Sequence, residues 1–278
     1  MKLTLACSPC PNDTFIFDAM VHGKVDTEGL SFDYRLEDVE TLNQWALAGQ
    51  TDICKVSYGV LPLLVSSHCV LEAGGALGRG VGPLLVSARG QRPEDGGLEE
   101  LTVAIPGRHT TAHMLFSMAY PQATRKVFLP FHAIEDAICS GTVDAGVIIH
   151  ESRFTYASKG LVAWADLGSF WEAETGQPVP LGGIVMRREW PRALMARTDR
   201  VIRRSLEYAW SNYPELPAFV RAHAQEMDEA VIRQHIELYV TAYSLQLGPE
   251  GRAAVWRMLE IGSRLHPAPQ GGAFEVFL

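Results

Sequence analysis

The stretch KLTLACSPCPNDTFIFDAM (residues 2–20) begins as a short apolar strand, turns at a proline-rich segment and continues as a helix. A second stretch, LTVAIPGRHTTAHMLFSM (residues 101–118), repeats this order of strand, polar turn and helix. Asp13 in the first stretch and Thr110 in the second can cap the helix that follows. The repetition predicts two similar lobes rather than one doubly wound domain.

Strand-like and helix-like segments alternate along most of the remaining chain. Such alternation is typical of α/β folds with parallel-rich sheets that helices cover on both faces. Strand-like runs at 82–87 and 181–186 flank the second lobe, which indicates that the chain crosses to that lobe and returns. We therefore expect lobe one from residues 1–88 and 187–278, lobe two from residues 89–186, and an interlobe cleft suited to a small-molecule ligand.

Composition narrows the class of protein. The chain has 278 residues, of which 47% are hydrophobic and 20% are charged, so it can bury a large core. The net charge is −8 and no run of Lys or Arg exceeds two residues, which argues against an extended nucleic-acid surface. No apolar stretch approaches the roughly 20 residues that span a bilayer, so we expect no membrane segment. Composition leaves the oligomeric state open.

Five cysteines are scattered along the chain, and an odd number cannot pair completely. Reduced thiols in the cytoplasm are the simplest interpretation. Two alternatives arise near the start, where Leu5-Ala6-Cys7 resembles a lipoprotein cleavage site and Cys7-Ser8-Pro9-Cys10 has redox-motif spacing. A signal peptide needs about 7–15 apolar residues, and only residues 3–6 precede Cys7. Zinc would need two further ligands that no second motif supplies, so we expect no metal.

Polar turns follow several predicted strands and are expected to face the cleft. Two of them, Ser8–Phe15 and Gly107–Thr111, also begin helices, whose first N–H groups favour anions. Lys55 and Ser57 can bind a substrate oxygen, although a solvated loop charge is the commoner role for lysine.

Two features of these turns have a purely structural interpretation. The tandem threonines Thr110 and Thr111 can cap a helix without touching a ligand. The glycine-rich run at 74–83 lacks nucleotide-binding spacing, and we expect it to form tight turns near a hinge.

His150 follows an apolar strand-like run at 145–149. An imidazole at the edge of an apolar wall is suited to act as a general base, because modest burial tunes a group that titrates near neutrality. A structural hydrogen-bonding role is equally compatible with this position, and His109 is a competing base. Five further histidines are expected on the surface or on helices, and no pair of them has metal-ligand spacing: His22, His68, His223, His235 and His266.

Five motifs in sequence order resemble those of the 1,4-dihydroxy-6-naphthoate synthase family, which acts in the futalosine route to menaquinone. They are SPCPNDTF (8–15), EDVETLN (37–43), GGALGRGVGP (74–83), PGRHTT (106–111) and IIHESRFTY (148–156). The resemblance extends over nearly the whole chain. It is weakest in the carboxyl-terminal helices, where Thr241 stands at a position that is Asn in the family.

The resemblance implies a two-lobed, type II periplasmic-binding-protein-like fold and a cytoplasmic enzyme without metal or organic cofactor. The implied reaction converts cyclic dehypoxanthinyl futalosine to 1,4-dihydroxy-6-naphthoate, with release of a sugar-derived fragment. His150 takes the proton-acceptor position of the family. The implied substrate contacts are Lys55, Val56, Ser57, Thr110 and Thr111. Further residues are expected in the cleft: Ser8, Asn12, Asp13, Asn43, His109 and Arg153.

Two other functions compete with this one. A non-enzymatic solute-binding protein or ligand sensor can use the same two-lobed fold, but it does not require a basic residue over the ligand. A related enzyme of the same pathway would process chorismate. Formation of the naphthoate chromophore from the cyclic futalosine derivative distinguishes the synthase from a receptor, and the motifs at 8–15 and 148–156 favour the synthase over the chorismate enzyme.

Overall fold

Both strand–turn–helix segments expected from the sequence form in the computed structural model, which describes residues 1–91, 97–225, 228–265 and 275–278. The first consists of β1 (Lys2–Cys7) and α1 (Pro11–Val21), and the second of β7 (Val103–Ile105) and α4 (Thr111–Ala119). Proline is favourable at the first position of α1 because it lacks a backbone N–H, and an N–H at this position would have no acceptor within the helix. The Thr110 hydroxyl caps α4 by accepting a hydrogen bond from the His113 amide at 3.2 Å.

The first sheet is built around β1. This strand is parallel to both of its neighbours, β2 (Ser31–Leu36) and β3 (Ile53–Ser57). The sheet continues through β11 (Val179–Arg187), which runs antiparallel to β3 and also pairs with β4 (His68–Val70) and β5 (Ala76–Gly78).

The second sheet is built around β7. This strand is parallel to β8 (Lys126–Phe128) and β9 (Ala145–Ile148). Beyond β9 lie β6 (Leu84–Ser87) and β10 (Val162–Asp166), both in antiparallel pairings. The helix-connected strands are therefore parallel in both sheets, but the strands that enter or leave a lobe are antiparallel. The sheets are mixed, which strand–helix alternation alone did not predict.

Strand pairing moves the two predicted lobe boundaries. β6 belongs to the second sheet and β11 to the first, so boundaries after residues 88 and 186 are each wrong by one strand. The chain crosses between the lobes before β6 and again before β11. The physical reason is that an apolar run predicts a buried strand without specifying its partner, and pairing depends on the rest of the sheet.

Helices cover the two sheets. In the first two thirds of the chain they include α2 (Val39–Leu47), α3 (Leu61–Leu64), α5 (Ile134–Cys139), α6 (Ser152–Thr155) and α7 (Leu167–Thr175). The carboxyl-terminal third contains α8 (Arg192–Asn212), α9 (Ala218–His223), α10 (Glu229–Tyr239), α11 (Ala242–Leu245) and α12 (Gly248–Leu265). Short 3₁₀ segments lie at Tyr58–Val60, Phe131–Ala133 and Tyr156–Lys159. Among the helices that the structure describes, none has the length and apolarity needed to cross a membrane.

The two lobes touch directly behind the cleft. A single hydrophobic cluster contains Tyr58 from the first lobe together with Phe116 and Trp171 from the second, all fully buried. Gly59 also packs against the start of α4, where an added Cβ would lie 2.9 Å from the Thr110 carbonyl oxygen. Such a contact admits only glycine without a shift of the backbone. The structure therefore shows the lobes in contact around the site.

The glycine-rich run forms the first crossing between the lobes. Gly74, Gly80 and Gly82 have positive φ angles, as expected for tight turns, although the run also contains the short strand β5. An added Cβ at Gly82 would lie 2.6 Å from Cα of Gly168. The absence of side chains at these positions lets the crossing segment pass close to the start of α7.

Candidate active site

A cavity lies between the lobes at the carboxyl ends of the parallel strands. The space between its walls is about 710 Å³ when the open mouth is included. Much of its wall is apolar, and the polar side chains converge from both lobes. The polar and charged residues that line it are Ser8, Asn12, Asp13, Lys55, Ser57, Thr110, Thr111, His150 and Tyr239.

A buried ion pair occupies the first-lobe side of the cavity. Lys55 Nζ lies 2.8 Å from Asp13 Oδ1, and both side chains are almost completely buried. Lys55 also donates to the carbonyl oxygen of Gly74 at 3.0 Å. Lys55 lies on strand β3 and is buried, so it is not a solvated loop charge. These two contacts use two of its three N–H groups, which leaves one N–H for a ligand.

Asp13 accepts hydrogen bonds on both carboxylate oxygens. Oδ1 accepts from Asn12 Nδ2 at 2.8 Å, in addition to its contact with Lys55. Oδ2 accepts from the amide and the hydroxyl of Ser8, at 3.0 and 2.8 Å. A buried charge satisfied in this way is held in one position, because each oxygen is fixed by two donors.

Ser57 and Asn43 form a reciprocal pair beside Lys55. The Asn43 carbonyl oxygen accepts from the Ser57 amide at 2.9 Å, and Asn43 Nδ2 donates to Ser57 Oγ at 3.3 Å. The amide orientation of Asn43 is thereby fixed, and the Ser57 hydroxyl hydrogen stays available for a ligand oxygen. Val56 lines the cavity between these polar groups, whereas the buried Asn43 supports the wall from behind.

The second lobe presents the start of α4 to the cavity. Thr110 caps the helix and also donates to the Gly107 carbonyl oxygen at 2.9 Å. Thr111 Oγ1 donates to the Leu181 carbonyl oxygen at 2.7 Å and accepts from the Gly59 amide at 3.0 Å. Both hydroxyls thus have structural partners. The first-turn N–H groups of α4 lack helical acceptors and make this end of the cavity favourable for an anion.

His150 lies between these two sides. Its backbone has φ 57°, a left-handed conformation that is uncommon outside glycine and that clusters at functional sites. Its Nε2 is inaccessible to solvent and has no hydrogen-bond partner among the residues that the structure describes, and His150 contributes to the cavity wall. The ring packs edge-on against Phe131, with 4.9 Å between centroids.

The environment of His150 favours the neutral imidazole. Burial, assisted by the positive charge of Lys55 and opposed by Asp13, lowers the pKa of His150 to about 4. A histidine with this pKa is unprotonated at neutral pH, so a ring nitrogen can accept a proton from a bound molecule.

Like Asn43, two further residues that were expected in the cleft lie outside the cavity wall. His109 turns to α2, where its Nδ1 lies 2.7 Å from Glu40 Oε1 and its amide donates to Glu40 Oε2 at 2.9 Å. Arg153 donates to the carbonyl oxygens of Gly82 and Gly80, at 2.6 and 3.2 Å, and pairs with Asp166 at 2.7 Å. His109 therefore joins the lobes at the rim, and Arg153 holds the crossing segment.

His235 lies on a helix, which agrees with the expectation, but the sequence did not indicate its surroundings. It is fully buried on α10 and stacks on His150 at 6.2 Å between centroids and 21° between planes. His68 is buried as well, although it lies away from the cavity. His266 lies outside the residues that the structure describes.

A periodic pattern could have identified the buried face of α10. Ile232, His235, Ile236 and Tyr239 are all buried and follow the helical spacing i, i+3, i+4 and i+7. Tyr239 reaches the cavity, and burial raises its pKa.

The fold brings together one set of potential metal ligands within the described residues. Donor atoms of Cys10, His150 and Glu151 lie within 4.8 Å of one another. Burial and the nearby Glu151 charge raise the pKa of Cys10 well above its usual value. Without a metal ion, this environment keeps Cys10 as a thiol.

Comparisons with known proteins agree with this architecture. The periplasmic aliphatic sulphonate binding protein of Escherichia coli superposes with a TM-score of 0.63 at 12% identity, covering 100% of this chain and 96% of that one. At this identity the similarity establishes the fold, which is the periplasmic-binding-protein-like fold.

Sequence relatives establish the family. The 1,4-dihydroxy-6-naphthoate synthase of Thermus thermophilus is 48% identical over 92% of each chain. The enzyme of the same name from Streptomyces coelicolor is 43% identical over 92% of this chain and 91% of its own. A profile for menaquinone biosynthesis proteins matches residues 3–264. The chain therefore belongs to the menaquinone biosynthesis family of enzymes.

Proposed function

We propose that this enzyme converts cyclic dehypoxanthinyl futalosine to 1,4-dihydroxy-6-naphthoate, with His150 as the general base. The observation that carries the proposal is a half-buried, neutral imidazole in the wall of a largely apolar cavity whose polar groups can hold an oxygen-rich ligand. The names of the two relatives support the product, and their similarity extends over nearly the full chain.

The substrate is a spiro-cyclised bicyclic carboxylate, and the reaction begins with removal of a proton next to a carbonyl group. The electron pair of that C–H bond enters the ring system, which becomes the aromatic naphthalene diol. The carbon–carbon bond to the sugar breaks, its electron pair leaves on the sugar-derived fragment, and that fragment takes up the proton that His150 removed. Aromatisation supplies the driving force. The protein therefore has to orient the ring system and provide a base, which proximity and general-base catalysis accomplish.

The polar groups divide between the two ends of the substrate in this proposal. The first-turn N–H groups of α4, near Thr110 and Thr111, bind the carboxylate. The remaining N–H of Lys55 and the Ser57 hydroxyl bind the developing enolate oxygen or a sugar hydroxyl. Because Asp13 already balances the Lys55 charge, Lys55 acts here as a precisely held hydrogen-bond donor more than as a free cation.

The decisive experiment incubates the purified protein with cyclic dehypoxanthinyl futalosine and follows the naphthoate by absorbance and mass spectrometry. We expect turnover by the wild type and, because general-base catalysis contributes about 10²–10⁴-fold, a loss of that order in the folded variants His150→Asn and His150→Ala. His68→Asn is the matched control, since His68 is another buried histidine and lies away from the cavity.

Other outcomes would support the competing functions. Tight binding of the futalosine derivative or of the naphthoate without turnover would favour a receptor. Turnover of chorismate in a parallel reaction would favour the related enzyme. Near-normal kcat in His150→Asn would remove His150 from the role of base.

We propose further that the protein works in a reducing compartment, as expected for the cytoplasm. All five cysteines are unpaired, and Cys7, Cys10, Cys54 and Cys69 are buried in the fold. Titration with a thiol reagent should find one fast-reacting group, Cys139, in the native protein and five groups after unfolding. Fewer than five after unfolding would indicate oxidation.

A further inference from the structure

His235 connects the carboxyl-terminal helices to the polar end of the cavity. Its Nε2 lies 2.9 Å from Oδ1 of Asn12, and the side chain has no solvent exposure. An amide oxygen only accepts hydrogen bonds, so Nε2 of His235 carries the hydrogen. This bond sets the direction of the Asn12 amide group.

The orientation of Asn12 matters because of what its other end touches. With its oxygen turned to His235, its Nδ2 donates to Asp13 Oδ1 at 2.8 Å. The same oxygen of Asp13 holds Lys55 at 2.8 Å. A continuous chain of hydrogen bonds thus runs from His235 through Asn12 and Asp13 to Lys55, and every member of it is buried.

The ring of His235 also supports His150. The two imidazoles are nearly parallel, and Tyr239 lies against the His235 ring with 4.6 Å between centroids. Burial, followed by the charges that His150 and Lys55 can carry, lowers the pKa of His235 well below its usual value. His235 therefore stays neutral and keeps its single N–H on Asn12, even while His150 holds a proton.

We propose that His235 is a positioning residue for the reaction assigned above, on which this inference rests. It fixes Asn12, Asp13 and Lys55 in one hydrogen-bonded arrangement and holds the His150 ring parallel to its own. His235 is not part of the cavity wall, so it acts on the substrate only through these neighbours.

The experiment compares two substitutions at this position. His235→Leu removes the donor and the aromatic ring, and we expect kcat to fall by about 100-fold, the cost of misplacing a reacting group by about 1 Å. KM should change little, because His235 makes no contact with the substrate. His235→Gln can place an amide N–H near the position of Nε2, so it should recover most of the kcat that His235→Leu loses.

Stability and coupling measurements exclude a merely structural role. His68→Leu, which removes a buried histidine away from the cavity, should reduce Tm without reducing kcat. In a cycle with Asn12→Ala, the double variant Asn12→Ala/His235→Leu should lose scarcely more activity than the worse single variant, because both break one chain.

Three results would overturn the proposal: an unchanged kcat in His235→Leu, an equal loss in His235→Gln and His235→Leu, or additive losses in the cycle with Asn12. Nitrogen-15 NMR of the wild type adds a readout without substrate, since it should show the hydrogen of His235 on Nε2, and a hydrogen on Nδ1 would also contradict the chain. A wild type that forms no naphthoate would instead refute the proposed function itself.

Discussion

The two strand–turn–helix segments, residues 2–20 and 101–118, have the same backbone plan and different chemistry. Each places the start of a helix at the cavity. The first turn carries Ser8, Asn12 and Asp13, and together with Lys55 these form a buried charged network. The second turn carries Thr110 and Thr111 at the cavity, and its histidine, His109, contacts Glu40 at the rim instead.

The difference shows that a repeated local pattern can specify a framework while single residues specify chemistry. In the charged network on the first side, the charges are paired and hydrogen-bonded within the protein. Breaking these contacts would leave a buried charge without a partner, which costs several kcal/mol. The second side relies on helix N–H groups, whose attraction for an anion requires no buried side-chain charge. Substitutions should therefore have larger effects on the first side than on the second.

The largest effect is expected for Asp13→Ala. This change leaves the Lys55 ammonium buried without its partner, and breaking a buried pair in this way costs about 3–5 kcal/mol of unfolding free energy. Urea denaturation measures the loss. Asp33→Ala, which removes an exposed partner of Lys2 at 3.6 Å, should cost almost nothing.

A double variant tests the cause of that loss. Asp13→Ala/Lys55→Met removes both charges and should recover part of the stability while remaining inactive. A double variant no more stable than Asp13→Ala would show that the buried charge is not the reason for the loss.

The pH dependence of activity tests the base that lies between the two sides. The pKa of His150 is lowered to about 4, and the neutral form is the one that accepts a proton. The value of kcat/KM should therefore be level from neutral pH down to about 5 and then decrease by about tenfold per pH unit below pH 4. The measurements require protein that is shown to stay folded at each pH. A decrease in kcat/KM that already begins near pH 6.5 would contradict the lowered pKa of His150 in the free enzyme.

A smaller effect is expected on the second side from Thr110→Ala. Removing this cap costs about 1 kcal/mol of stability. It should also raise KM more than it lowers kcat, because the first turn of α4 then holds the carboxylate less well. Thr110→Ser retains the hydroxyl and serves as the control, and thermal unfolding with steady-state kinetics distinguishes the two variants.

The smallest effect concerns the rim contact between the lobes. Burial raises the pKa of Glu40, but hydrogen bonds and the charge of His109 outweigh it and hold that pKa below its usual value. Glu40→Gln weakens this contact by about 0.2–1 kcal/mol. Small-angle scattering should show a slightly larger radius of gyration without product and a wild-type value with dihydroxynaphthoate. Glu37→Gln, at an exposed neighbouring position, should leave both profiles unchanged.

Much of this molecule was accessible from sequence. The apolar runs at 82–87, 145–149 and 181–186 predicted β6, β9 and β11 to within two residues, and the polar turns after predicted strands included most of the polar residues that line the cavity. His150 was identified from its place after a buried strand. The errors concern residues whose partners are distant in the chain: β6 and β11 exchange lobes, and His109 and Arg153 bind protein groups outside the cavity.

The division has a physical basis. Sequence by itself determined the two-lobed α/β plan and the turns that face the ligand, because strand and helix periodicity, proline and glycine turns and helix caps act over short windows of residues. Tertiary structure alone decided that Lys55 meets Asp13 and that His235 stacks on His150. Those contacts join residues 42 and 85 positions apart, the first pair within one lobe and the second between the lobes. Only the burial of the folded core offsets the entropy of bringing such residues together.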